Sequence, residues 1–153
     1  MSDLANLIDG RLVAPADGHW LDVFEPACAR VFARCPDSGA ADVDAAVEAA
    51  RRAAPAWAAP PAEARARLLQ RLADLVERDL DDLARLESRD SGKPVALARR
   101  LDIPRAVANL RFFAAAITQW PSEAHATDPR TLNYTLRQPL GAVACISPWN
   151  LPL

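Results

Sequence analysis

The side chain best placed to do chemistry in this sequence is Asn150, in the segment Ser147-Pro-Trp-Asn-Leu-Pro152. Pro148 and Pro152 each lack an N–H donor and fix φ, so a regular strand cannot continue through this segment. The apolar run directly before it, residues 142–146, has the length and composition of a fully buried strand. The sequence therefore predicts an amide held on a stiff loop just past the carboxyl end of a buried strand, where ligands bind in open α/β sheets.

An amide at this place has two interpretations. Asn150 does not titrate, and its NH₂ group can donate two hydrogen bonds to a bound ligand. The alternative is that Asn150 only closes a turn through its own side chain. On the loop residues alone, the turn is the simpler explanation.

The three cysteines and two histidines predict no further chemical site. Cys28 and Cys35 lie on one expected strand or at its end, and their odd spacing directs them to opposite faces, which favours neither a disulfide nor a shared metal. Cys145 is expected to be a small core residue of the apolar run. His19 and His125 stand alone in turn regions and are expected at the surface.

Composition restricts the classes of partner. The 153 residues carry 18 basic and 20 acidic side chains, for a net charge of −2, so no basic footprint for nucleic acid is seen. The single lysine, Lys93, among many arginines is attributed to genome composition. No apolar run reaches membrane-spanning length, and the first residues do not resemble a secretory signal. We therefore expect no nucleic-acid or membrane partner and a cytoplasmic location, which the cysteine usage also favours.

The elements that must position the loop begin with short strands. Residues 4–8 and 12–13 flank Asp9-Gly10, a strong hairpin turn signal, and two more strands are expected over 21–24 and 27–35. From Asp42, the expected N-cap, apolar residues recur at helical spacing. A linker bracketed by prolines should follow, with Trp57 as a packing anchor. The prolines are Pro55, Pro60 and Pro61.

The strongest helix is expected over residues 61–91, with a break allowed near Asp79 and an end at Gly92. Its apolar stripe comprises Leu69, Leu72, Val76, Leu80, Leu83 and Leu86. Its exposed face should carry three acid-first i,i+4 pairs. These are Glu63–Arg67, Asp74–Arg78 and Asp81–Arg85.

Two further helices and one strand are expected before the loop. Residues 95–101 favour a short helix, and Asp102 is the expected N-cap of the next. The stripe of that next helix is Ile103, Val107, Leu110, Ala114 and Ile117, with Phe113 beside it as a core residue. Residues 120–129 form a polar break, and residues 131–137 are typical of an exposed strand.

The chain as a whole resembles the aldehyde dehydrogenase superfamily. The residues that carry the resemblance are Pro148-Trp-Asn-Leu-Pro152 and the preceding turn Gln138-Pro-Leu-Gly141. Asp102-Ile-Pro-Arg105 and Arg111-Phe-Phe-Ala114 look most like the branch that acts on muconic semialdehydes.

The resemblance implies a fold and its division. The fold class is α/β: the N-terminal part of a Rossmann-like cofactor domain, helix-rich, with short antiparallel N-terminal strands and an incomplete parallel sheet. Residues 1–120 would belong to the NAD(P)-binding domain and residues 121–139 to an oligomerisation arm, which joins subunits of a homo-oligomer through strand 131–137. Residues 140–153 would be the first strand and the Pro-Trp-Asn loop, with the rest of the dinucleotide fold outside the sequence.

The resemblance also implies an activity, the NAD(P)-dependent oxidation of a small aldehyde to a carboxylic acid through a cysteine thiohemiacetal. Asn150 would stabilise the oxyanion. Ile146, Ser147, Pro148 and Trp149 would line the ribose and nicotinamide of NAD, mainly through backbone atoms, and NADP is not excluded.

The sequence lacks the family's Gly-Gln-x-Cys nucleophile motif, its general-base glutamate and its Lys-Pro-Ser-Glu segment. We therefore expect the N-terminal portion of such an enzyme, inactive alone, with the missing motifs beyond Leu153. The alternative is a non-catalytic interaction module that pairs with a full-length homologue through residues 131–137. An unrelated α+β domain is disfavoured by the matches at 102–105 and 111–114.

Overall fold

The computed structural model describes residues 2–153 and shows short strands at both ends of a helical middle. The strands are β1 (Ser2–Asp3), β2 (Asn6–Ile8), β3 (Arg11–Val13), β4 (Trp20–Glu25), β5 (Arg30–Pro36), β6 (Ala124–Asp128) and β7 (Thr131–Tyr134). The helices are α1 (Ala40–Ala58), α2 (Ala62–Arg78), α3 (Leu80–Ser91), α4 (Val95–Leu97), a π-helix (Ala98–Asp102) and α5 (Ile103–Gln119). Within the described residues, no helix is long and apolar enough to span a membrane.

The strands β2–β5 confirm the four strands predicted near the N-terminus and their order, but β2 begins at Asn6 and β5 at Arg30, so Cys28 lies in the turn before β5 and not on the strand. β2 and β3 form an antiparallel hairpin, and its turn residues Asp9 and Gly10 have φ of 52° and 72°. Two adjacent residues with positive φ are what a two-residue type I′ turn requires. β4 and β5 also pair antiparallel, and the unexpected strand β1 adds to β5 in parallel, giving the order β1-β5-β4.

The start of α1 corrects the role predicted for Asp42. The helix begins at Ala40 and Gly39 is its N-cap, so Asp42 is the third helical residue. Its buried carboxylate accepts hydrogen bonds from the N–H groups of Gly39 (3.1 Å) and Ala16 (3.0 Å). A carboxylate at this position can reach back to the N-cap N–H, so Asp42 fastens the helix start to the preceding loop.

The end of α1 corrects the predicted linker. The helix continues through Pro55 to Ala58, and Trp57 is 50% exposed rather than a packing anchor. A proline removes one helical hydrogen bond, but the alanine-rich residues around it have the highest helix propensity, and the helix continues.

The long predicted helix does break at Asp79, into α2 and α3, and α3 ends at Gly92 in the left-handed conformation (φ 76°). Its apolar stripe is only partly buried: Leu72 and Leu86 are 45% and 58% exposed. The buried apolar residues are mainly alanines. They are Ala33, Ala49, Ala66, Ala73, Ala84, Ala98, Ile103, Val107 and Ala114. Small side chains at these positions let α2, α3 and α5 approach closely.

The segment between α3 and α5 differs from the prediction of two separate helices. Val95–Leu97 is a single α-turn that passes through the π-helix into α5 without a break. Asp102 has helical φ and ψ (−69°, −52°) and makes no side-chain cap, so it is not an N-cap. On α5, Phe113 is 62% exposed and Ile117 is 40% exposed, so neither belongs to the core.

The ion pairs on the helices differ from the predicted ones: two lie within a helix, Arg52–Glu48 of α1 and Arg85–Asp82 of α3, and others join different elements. None of the three predicted i,i+4 pairs forms within residues 2–153. Arg111 of α5 instead pairs with Asp74 (2.9 Å) and Glu77 (2.6 Å) of α2, which raises the pKa of Arg111 through those hydrogen bonds. Arg99 of the π-helix pairs with Asp81 of α3 at 2.5 Å.

Residues 120–129 are not simply a polar break, because β6 lies within them and pairs antiparallel with β7. β7 ends at Tyr134, so the strand predicted over 131–137 is shorter than expected. Its exposure is confirmed, since every residue of both strands is exposed. His125 of β6 and His19 are both exposed, as predicted.

Candidate functional site

The segment before the loop is irregular, so the buried strand predicted over residues 142–146 is wrong for this structure. Val143 and Ile146 are 64% and 95% exposed, and Cys145 is exposed rather than a core residue. A strand of a parallel sheet needs hydrogen-bonded neighbours on both sides. The described residues provide none for this segment, so its apolar side chains remain in contact with solvent.

Residues 138–144 lie across α1 instead. A cavity of about 640 Å³ separates residues 138–142 from the side of α1 formed by Arg51, Ala54, Pro55 and Ala58. The segment therefore approaches the helix without packing tightly on it.

The loop itself contains a turn at Trp149 and Asn150. The Leu151 N–H donates to the Pro148 carbonyl at 3.4 Å, a long hydrogen bond. Within residues 2–153, the Asn150 side chain accepts and donates no hydrogen bond, and Asn150 is exposed. The turn is closed through the backbone, so its geometry does not need the Asn150 amide. The alternative in which Asn150 serves only to close the turn loses its main support.

The loop is attached to the helical layer at its far end. Leu151 is half-buried, and Pro152 and Leu153 lie against α3 across a small cavity of about 210 Å³. The α3 residues that line this cavity are Leu83, Leu86, Glu87 and Asp90. One end of the loop thus lies beside α3, while the Trp149 ring is 88% exposed.

Glu87 also belongs to a buried charge cluster that sequence reasoning missed. The Lys93 ammonium donates to Glu87 Oε1 at 3.0 Å and to Asp102 Oδ2 at 2.8 Å. The carboxylate side chains are 3% and 5% exposed and the lysine side chain is 20% exposed. The hydrogen bond to Asp102 and the bond to Glu87 raise the pKa of Lys93 above its ordinary value, so the ammonium form is favoured.

Two serines complete the surroundings of this cluster. Ser88 Oγ donates to the Lys93 carbonyl at 2.5 Å, and Ser91 Oγ donates to the Glu87 carbonyl at 2.6 Å. The only sequence signal for the cluster is that Lys93 is the single lysine, which composition alone had seemed to explain.

The four residues expected to line a cofactor, Ile146 to Trp149, follow one another along the exposed loop. Within the described residues, the backbone N–H and C=O groups of Ile146 and Ser147 have no hydrogen-bond partner. Free backbone donors and acceptors of this kind are available to hydrogen-bond a ligand. Within the same part of the chain, no group of three metal-ligating side chains is found.

Comparison with known proteins identifies the class. The pattern that describes the aldehyde dehydrogenase family matches residues 12–153, so the chain belongs to that family. The fold class is confirmed as well. The structure of PnpE from Pseudomonas sp. WBC-3 superposes with a TM-score of 0.94 and 42% identity, over 99% of this chain and 31% of that one.

The particular relatives include muconic semialdehyde dehydrogenases. The chain is 47% identical to 2-aminomuconic semialdehyde dehydrogenase from Bos taurus, over 98% of this chain and 31% of that protein. It is 39% identical to 2-hydroxymuconic semialdehyde dehydrogenase from Pseudomonas sp. (strain CF600), over 100% of this chain and 32% of that protein. The chain thus spans about a third of the length of the curated relatives it matches. The predicted resemblance to this family and branch is confirmed.

Proposed function

We propose that this chain forms the N-terminal part of an NAD-dependent aldehyde dehydrogenase that oxidises a muconic semialdehyde to a dicarboxylic acid. The observation that carries the proposal is the family match over residues 12–153, because it includes the whole Pro148–Pro152 loop. The identity to 2-aminomuconic and 2-hydroxymuconic semialdehyde dehydrogenases supports the substrate class.

In the proposed reaction, aldehyde, NAD⁺ and water give carboxylic acid, NADH and a proton. A cysteine from outside this sequence attacks the aldehyde carbon, and the carbonyl oxygen becomes an oxyanion. The Asn150 NH₂ donates a hydrogen bond to that oxygen. The donor is neutral at every working pH, and neither of its N–H groups is used elsewhere in the described structure. Once hydride has left the former aldehyde carbon, the oxyanion becomes the carbonyl of a thioester, which water hydrolyses to the acid and the free thiol.

Ile146, Ser147, Pro148 and Trp149 are proposed to bind the cofactor along the loop. When bound, NAD⁺ would be the oxidant of the reaction, because it accepts the hydride. The unpaired backbone groups of Ile146 and Ser147 support this assignment, and PnpE has been crystallised in complex with nicotinamide adenine dinucleotide. NADP remains an alternative cofactor within the proposal.

The remaining parts of the proposal concern organisation. Residues 1–120 are assigned to the cofactor domain, 121–139 to an oligomerisation arm, and 140–153 to the loop and to the first strand of the dinucleotide fold, a strand that would need neighbouring strands from the rest of that fold. The segment 131–137 is proposed to join copies into a homo-oligomer, since β7, which covers its first four residues, is exposed along its length. The three unpaired cysteines support a cytoplasmic location.

A second candidate is a non-catalytic module that pairs with a full-length homologue. The exposed β6–β7 hairpin and the exposed apolar side chains of residues 140–146 favour it, because both are surfaces that another chain could cover. Co-purification with a longer dehydrogenase would support this candidate.

The test is a chimera in which this chain replaces the matching third of the bovine relative. We expect NADH formation from 2-aminomuconic semialdehyde. Asn150→Ala should lower kcat about 10²–10³-fold, the usual cost of one oxyanion donor. Asn109→Ala, which removes an exposed amide on α5, is the matched control and should leave kcat unchanged. The 153-residue chain alone should reduce no NAD⁺. Unchanged kcat in Asn150→Ala would refute the assigned role.

A further inference from the structure

The buried charge cluster of Glu87, Lys93 and Asp102 joins three parts of the chain. Glu87 lies on α3, Lys93 just after the left-handed Gly92, and Asp102 is the last residue of the π-helix. Two carboxylates share one ammonium at 3.0 and 2.8 Å. π-Helical segments are rare and frequently occur at functional sites. The buried ion pair that Asp102 makes at the end of this π-helix is therefore a candidate for a functional role.

Glu87, one member of the cluster, also lies near the end of the loop that carries Asn150. Glu87 lines a cavity of about 210 Å³ that Pro152 and Leu153 also line. Leu153 lies three residues after Asn150. The same side chain is therefore fixed by Lys93 and forms part of the wall against which the loop ends.

We propose that the Glu87–Lys93–Asp102 cluster positions the loop that carries Asn150, acting through the α3 surface on Pro152 and Leu153. Glu87 and Lys93 are positioning residues in this scheme, since neither reaches the reacting atoms. The catalytic meaning of this positioning rests on the proposed function, but the positioning itself does not.

The physical reason is the imbalance of charge in a buried place. Without the ammonium, two carboxylates would stay buried, unpaired and close to each other, and at least one must turn toward water. The Asp102 carboxylate is held on the π-helix, whereas a displaced Glu87 changes the wall of the Pro152–Leu153 cavity. A movement of about an ångström at that wall would reach Asn150, and errors of this size matter for catalytic geometry.

A second ion pair between the same two elements serves as a matched control. Arg99 of the π-helix and Asp81 of α3 are paired at 2.5 Å, but their side chains are 62% and 57% exposed. Removing an exposed pair leaves the partner solvated, so little should change. Arg99→Met and Lys93→Met therefore both remove one ion-pairing cation between α3 and the π-helix, at an exposed and a buried place.

The experiment is amide NMR on the 153-residue chain. In Lys93→Met, we expect the signals of Asn150, Leu151 and Leu153 to shift, with a Tm loss of about 10 °C. Glu87→Gln leaves the Lys93–Asp102 pair balanced, so the chain should stay folded, but its neutral side chain is held less firmly by the Lys93 ammonium, so the wall should move and the same signals should shift. Lys93→Arg, which keeps the charge, should return them toward their original positions. Arg99→Met should leave them in place.

Loop signals that do not move in folded Glu87→Gln would overturn the proposal, even if Lys93→Met fails to fold. Equal shifts in Arg99→Met would also overturn it, because they would show a general response of the helices. The NMR result does not depend on the activity of the chimera. If the loop signals move but the Asn150→Ala chimera keeps its kcat, the role proposed for Asn150 is refuted and the positioning of the loop by the cluster is supported.

Discussion

At the scale of single residues, Asn150 and Lys93 differ in whether their polar side chains have partners within the fold. The Asn150 amide is exposed and has no partner within residues 2–153, so it is free to bind a ligand group. The Lys93 ammonium has two carboxylate partners and a raised pKa, so its function is fixed within the fold. A buried charge with full pairing contributes positional precision more reliably than stability.

The raised pKa of Lys93 makes a prediction for alkaline pH. A group whose pKa is higher in the folded chain stabilises it fully below the ordinary pKa of 10.5 and loses this effect as pH rises through the folded value. The free energy of unfolding should therefore fall above about pH 10.5 in the native chain. Lys93→Arg is the control, because its guanidinium stays charged there. Urea unfolding across this range measures the difference. Parallel pH profiles for the two chains would contradict the assigned cause.

At the scale of elements, the end of α3 depends on one glycine with two separate constraints. Gly92 has φ of 76°, and a Cβ added there would lie 3.1 Å from the Pro26 Cβ in the turn between β4 and β5. Gly18 has the same φ of 76° with no atom within 4 Å of such a Cβ. Alanine variants at these two glycines share the cost of the positive φ, whereas only the Gly92 variant adds a close contact with Pro26.

Gly92→Ala should therefore destabilise the chain more than Gly18→Ala. The positive φ costs each variant about 1–2 kcal/mol. Gly92→Ala must also displace either α3 or the Pro26 turn, and this displacement should raise its total cost above that of Gly18→Ala. Urea midpoints of both variants measure the difference. Equal midpoints would mean that the turn yields freely and does not fix α3.

Elements with local signals could be predicted from the sequence, whereas those set by distant partners could not. Asp9-Gly10 and Gly92 need positive φ whatever surrounds them, so their turn and helix end were predictable. The prediction that α1 ends at Pro55 is wrong because the helix propensity of the flanking residues keeps the helix intact there. The prediction of a strand over residues 142–146 is wrong because the described residues provide no neighbouring strands for it. In the candidate site, the prolines identify the loop. The Lys93 cluster could not be predicted from the sequence, because it depends on the π-helix that brings Asp102 close to Lys93.

At the scale of the whole molecule, apolar side chains are exposed on two facing surfaces. Val47 and Trp57 of α1 are 37% and 50% exposed. Across from them, Leu140 and Val143 are 93% and 64% exposed. Exposed apolar patches of this extent mark surfaces that bind other chains. The chain therefore should not behave as an inert monomer, and the β6–β7 hairpin offers a second surface for association.

The last prediction tests the second of these surfaces, the β6–β7 hairpin. Leu132 of β7 is 66% exposed on a hairpin whose outer edges have free backbone groups. If copies pair through this hairpin, Leu132→Lys should weaken self-association about tenfold, or ~1.4 kcal/mol, because each dimer would bring like charges to one edge. Leu12→Lys is the matched control, since Leu12 is 76% exposed on the β2–β3 hairpin. Sedimentation velocity over a concentration series measures both. Equal weakening by the two variants would assign association to general apolar contact and exclude β7 as the specific arm.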